Sequence, residues 1–160
     1  MRRQNRGCAA PLAVCAALAT LPAIAAADAP TFLPHVTPSG TPPLPFSDAV
    51  LAGDALYLAG HIGIDPQSGN AASDPDTEAH LMMEALQQTL RRAGLTMDDL
   101  VSVTVFCTDL KLYDVFNAIY SGYFHGHYPA RAFIGAGQLV RGAHFEIMGV
   151  AIRPSHARHR

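Results

Sequence analysis

The order in which apolar periodicities alternate along the chain constrains its fold more than any other feature. Ala49-Val50-Leu51-Ala52 and Leu56-Tyr57-Leu58-Ala59 flank Gly53-Asp54, the signal of a hairpin. The second run continues to Ile64 and stops at the turn residues Asp65-Pro66-Gln67-Ser68-Gly69-Asn70. A helix is predicted from Ser73-Asp74-Pro75, with acids Asp76 and Glu78 at its positive end. Ala79, Met82, Leu86, Leu90 and Ala93 lie on one face, and Gly94 is the stop. Leu100 to Thr108 reads as a strand with apolar residues on both sides, hence a central one. A second helix runs from about Leu112 to Phe124, with Val115, Phe116, Ile119, Tyr120 and Tyr123 on one side. Two last strands follow, about 130–135 and 144–153. Helices between strands suit crossovers covering one face of a mixed sheet. Two helices cannot cover both faces of so large a sheet, so the bare face requires another chain.

The termini read differently. Arg2, Arg3 and Arg6 precede a mostly apolar stretch from Cys8 to Ala27, which closes on Ala25-Ala26-Ala27. That is the pattern of a signal peptide over residues 1–27, cleaved before Asp28. A membrane anchor fits less well, because alanine is weakly apolar and Pro11, Thr20 and Pro22 interrupt the stretch. Val14 is too large for a lipoprotein box before Cys15, and Gln4-Asn5 is poor context for twin-arginine export. Sec-type export to a periplasmic or secreted location is expected, with no membrane attachment after cleavage. Residues 28–45 are a Pro-rich linker, 46–153 the folded domain, and 154–160 a flexible tail. Cleavage leaves eight Lys+Arg against 13 acids, and Cys107 as the lone cysteine. No internal disulfide is then available.

Common cofactor motifs are missing: there is no P-loop, GxGxxG, GxSxG or CxxC. The mature chain is acidic and shows no basic stripe, which speaks against nucleic-acid binding. His125 and His127, with His61 and His144, lack nearby acids in metal-ligand spacing, and capping or solvated histidines are the ordinary reading. Cys107 alternates with Val103 and Val105 and reads as a buried small hydrophobe. Arg131 carries more information. A guanidinium at the start of an apolar strand needs an anionic partner. Glu146 is the only acid in the last two strands. Either the two form a structural ion pair, or both face a cleft in which Arg131 holds a carboxylate and Glu146 orients water.

The ordered motifs Pro45-Phe46-Ser47, Leu58-Ala59-Gly60-His61-Ile62-Gly63-Ile64-Asp65-Pro66 and Thr104-Val105-Phe106-Cys107-Thr108-Asp109 resemble the RidA (YjgF) family. So do Asn117-x-x-Tyr120-x-x-x-Phe124, Pro129-Ala130-Arg131 and Phe145-Glu146-Ile147. The resemblance spans Pro45 to Ile152. It implies an α+β, chorismate-mutase-like fold, a mixed sheet with two helices on one face, assembled as a homotrimer with clefts between subunits. It further implies hydrolysis of reactive 2-imino and 2-enamino acids to 2-oxo acids and ammonia, with no metal or organic cofactor. By the resemblance Arg131 grips the substrate carboxylate and Glu146 positions the attacking water. Phe46, Ala59, Gly60, Asn117, Ala132 and Phe133 fall on positions that line the cleft. Ala132 and Phe133 stand where Ser and a small Thr or Cys are usual, Phe46 replaces a tyrosine, and His61 stands where Gln is frequent. The cleft is therefore expected to be more apolar, and narrower near Phe133. The alternative is a non-catalytic trimeric small-carboxylate-binding or chaperone-like protein of the same fold. RNA cleavage, reported for some relatives, is opposed by the acidic charge.

Overall fold

The computed structural model describes residues 29–36 and 42–154. The expected signal peptide and the tail beyond Pro154 lie outside the described residues. Six strands form one sheet: β1 (Thr31–Pro34), β2 (Ser47–Ala52), β3 (Ala55–His61), β4 (Leu100–Cys107), β5 (Ala130–Gly135) and β6 (Phe145–Ile152). Two helices, α1 (Pro75–Arg92) and α2 (Tyr113–Ser121), follow β3 and β4. The strand order is β1-β2-β3-β6-β4-β5. β4 and β5 are parallel and the other pairs antiparallel. The last strand thus slots between β3 and β4, and each helix is a crossover between strands of like direction.

Local signals explain the first elements. Gly53 turns the β2–β3 hairpin at a φ of +60°, where a side chain is unwelcome. Asp74 caps α1 by accepting from the Thr77 amide at 2.9 Å, and Pro75 occupies the first turn. Met82, Leu86 and Leu90, on the predicted face, are wholly buried, as is Met83. They pack over Leu56, Val103, Val105, Phe145 and Ile147, which share one side of the sheet. Each such side chain contributes about 1.5–3 kcal/mol by leaving water. β4 is central, as expected. Its Ser102, Thr104 and Phe106 point to the opposite side, which carries no helix among the described residues and leaves Tyr57, Ile134, Met148 and Ile152 exposed.

Four expectations need correction. Thr31–Pro34 is a strand within the segment read as an unpaired linker. Its side chains are mostly exposed, so no alternation marks it. Backbone pairing with β2 makes it a strand, while Arg92 donates to both Pro34 O and Asp48, and His35 also pairs with Asp48. The run through β3 ends at His61, and Ile64 makes only an isolated bridge to Ala71. α2 stops at Ser121, after a 3₁₀ turn at Leu110–Leu112, so Tyr123 lies beyond it and Val115 is exposed. β6 begins at Phe145 rather than His144.

Candidate active site

Arg131 enters β5 directly after Pro129-Ala130. Its partner in register is Val103, so its side chain leaves the sheet on the helix side, beneath α2. There Nη2 donates to Asn117 Oδ1 at 2.7 Å, and the Tyr113 hydroxyl stands 3.5 Å from the same nitrogen. Four rings enclose the guanidinium. Its Cζ lies 4.6 Å from the centroid of Tyr120 and 5.7–5.8 Å from those of Phe133, Tyr113 and Phe116. Ring faces attract a cation by about 0.5–2 kcal/mol, but they do not neutralise it. Among the described residues no carboxylate lies within ion-pair distance of Arg131. Asn117, Tyr120, Ser121, Tyr128, Pro129 and Arg131 line a pocket of about 370 Å³. The Tyr120 hydroxyl is buried beside it and has no hydrogen-bond partner among the described residues. Burial pushes this phenol up to about 12, against the pull of Arg131, so it remains a proton donor.

Glu146 belongs to a second cluster. It pairs in register with Phe106, while its neighbour Ile147 pairs with Val105 on the helix side. Glu146 therefore projects from the bare face, opposite to Arg131. The two side chains cannot form the ion pair considered above. They lie on different sides of the sheet, with β4 between their strands. Beneath Glu146 is Gly60, where any Cβ would overlap the Glu146 Oε1. Here β3 carries a bulge: Leu58 faces Gly149 and His61 faces Ile147, so one extra residue is accommodated at Ala59-Gly60. Ala59 is half-buried and Gly60 exposed.

The remaining expected residues divide between these clusters or fall outside them. Ala132 pairs with Thr104 and faces away from Arg131. Phe133 shares the face of Arg131 but packs edge-on against Tyr113, centroids 5.0 Å apart, and 5.3 Å from Phe116. It buttresses the guanidinium and lies outside the residues that line the pocket of the single chain. Phe46 is 49% exposed and lies 5.3 Å from His35, with which it stacks at a tilt. Cys107 is buried, its Sγ 3.1 Å from Asp109 O, and burial raises its thiol. The histidines are dispersed: His61 contacts Thr89, His144 contacts Glu78, and His125 lies beside Asp98.

Two contributions escaped the sequence reading. Tyr113 precedes Asn117 by one helical turn, as Tyr120 of the Asn117-x-x-Tyr120 motif follows it, a spacing that could have joined it to the site. The sequence marks Glu78 only as an acid at the positive end of α1. Its carboxylate is wholly buried and accepts from the His144 and Phe145 amides at 2.8 and 2.9 Å and from His144 Nδ1 at 2.6 Å. This clamp fixes the start of β6, immediately before Glu146.

The model of the family described as endoribonuclease L-PSP matches residues 39–153. The human 2-iminobutanoate/2-iminopropanoate deaminase is 36% identical over 110 residues, covering 68% of this chain and 80% of that protein. Escherichia coli TdcF with bound serine superposes with a TM-score of 0.69 at 26% identity, covering 77% of this chain and 99% of that one. RidA from the Antarctic bacterium Psychrobacter sp. PAMC 21119 gives a TM-score of 0.65 at 26% identity, covering 75% and 93%. With this sheet order, this sequence match and Arg131 at the strand position the motif marks, the chain belongs to the RidA (YjgF) family, that of the endoribonuclease L-PSP model.

Proposed function

We propose that the protein hydrolyses reactive 2-imino and 2-enamino acids to 2-oxo acids and ammonia, in clefts formed between copies of the chain. The observation that carries this reading is Arg131, a cation held by Asn117 and four rings, with no carboxylate among the described residues within ion-pair distance. A cation in that setting calls for an anionic ligand, and a guanidinium matches a carboxylate with two parallel bonds. The serine bound to TdcF is a small carboxylate of the same kind.

Water addition needs a group that the Arg131 pocket lacks. Glu146 provides it from the bare face of a neighbouring copy. An apolar stripe including Tyr57, Met148 and Ile152 on that face favours association, and the family's homotrimer supplies a closed arrangement. Arg131 fixes the substrate carboxylate, and Glu146 accepts a proton as water adds to the imine carbon. Glu146 returns that proton to the nitrogen, completing the carbinolamine, which then collapses to the 2-oxo acid as its hydroxyl proton passes through Glu146 to the departing ammonia. Imines hydrolyse readily, so orientation by these two groups suffices without a covalent nucleophile. RNA cleavage gains no support from an acidic chain with no basic stripe. Export to the periplasm or beyond, through residues 1–27, belongs to the same proposal.

The test is decay of 2-iminopropanoate generated in situ by an amino-acid oxidase. Acceleration by the wild type, lost in Arg131→Ala, supports the reading. Carboxylate binding without acceleration leaves a binding protein instead.

A further inference from the structure

The bulge that carries Gly60 also turns His61 around. Leu56 and Leu58 point into the core, and strict alternation would send His61 to the bare face. The extra residue reverses it, so His61 is buried at 9% exposure. Both ring nitrogens are used there. Nδ1 lies 2.8 Å from Ala59 O, and a carbonyl only accepts, so Nδ1 carries the proton. Nε2 then accepts from the Thr89 hydroxyl at 2.9 Å, which projects from the buried side of α1. The imidazole is a strut between α1 and the bulged backbone.

Resting on the deaminase reading above, we propose that His61, braced by Thr89, is a positioning residue that holds the Ala59-Gly60 bulge in the shape that seats the Glu146 carboxylate. Gly60 lies so close under Glu146 that no Cβ fits between them. A small displacement of the bulge therefore moves the floor against which the carboxylate rests. Ala59 O, within the bulge, has His61 Nδ1 as its side-chain donor. Without that bond the bulge loses its tie to the helix layer. The arginine that captures the carboxylate in this cleft comes from a neighbouring copy, and this chain's own Arg131 lies on the opposite face, so the support acts first on the water-directing half of the site.

The test compares His61→Leu, which fills space without hydrogen bonds, with His61→Gln, whose amide can both donate and accept. Thr89→Val removes one hydroxyl and serves if His61→Leu folds poorly. On assembled protein with in-situ 2-iminopropanoate, His61→Leu should lower kcat about 10- to 100-fold with KM within about twofold, as misplacement of a reacting group does. His61→Gln should recover most of the loss, and Thr89→Val should fall between. Amide exchange at Ala59 and Gly60 should quicken in the same order. A wild-type kcat in His61→Leu, or equal losses in the Leu and Gln variants, would overturn the proposal. If the wild type hydrolyses no imine the deaminase reading fails, and unchanged exchange at Ala59-Gly60 would then separately remove the strut.

Discussion

At the scale of single residues, Arg131 and Tyr120 form the informative contrast. Arg131→Ala should cost about 30- to 1000-fold in kcat/KM on 2-iminopropanoate, the value of a charge-assisted bidentate contact, with the assembly intact by light scattering. Precipitation or a monomer would show that the side chain supports the fold instead. The Tyr120 hydroxyl is buried without a partner, a condition that costs about 1–3 kcal/mol. Tyr120→Phe should therefore leave thermal stability unchanged or raise it, and a clear fall in Tm would mean that the hydroxyl has a structural partner. His61 adds a pH dependence. Burial depresses its pKa below the ordinary 6.5; the bond to Ala59 O and then Asp48 oppose the shift, and His35 and Arg92 reinforce it. The unfolded chain then binds its proton first as pH falls. The stability that His61 contributes is whole above 6.5 and declines from there down to the folded pKa. Denaturant titrations across that window should show the decline, and His61→Gln should flatten it.

At the scale of elements, the Glu78 clamp ties α1 to the first residues of β6. Glu78→Ala orphans the His144 and Phe145 amides, and about 1–3 kcal/mol should be lost for each. Urea unfolding measures the sum, and early exchange at Phe145 would locate it. The clamp also shows what the sequence could and could not say. Hairpin, α1 and β4 were legible because turn residues, caps and apolar spacing are local signals. β1 was not, since an edge strand with exposed side chains has no alternation to read. Glu78 looked like a dipole-end acid because nothing local reveals that the start of β6 returns to meet it. For Arg131 and Glu146, residue types and motif positions were readable, and the face each occupies was not. Facing depends on registers with β4, set by contacts far apart in sequence.

For the whole molecule, those registers carry the central claim. One chain holds a cation pocket under α2 and a carboxylate on the bare sheet face, two halves that cannot meet internally. A closed ring of three copies would bring each Arg131 to a neighbour's Glu146, and the protein should then elute and scatter as a trimer. Mixing two inactive variants tests this most directly. Arg131→Ala and Glu146→Gln chains, unfolded together in equal amounts and refolded, distribute at random. Where a Glu146→Gln copy donates its arginine to an Arg131→Ala copy that still has its glutamate, an intact site forms. About a quarter of wild-type imine hydrolysis should return in the mixture, though neither variant alone is active. A mixture as inactive as its components would contradict the account, because the two residues would then have to act from the same chain.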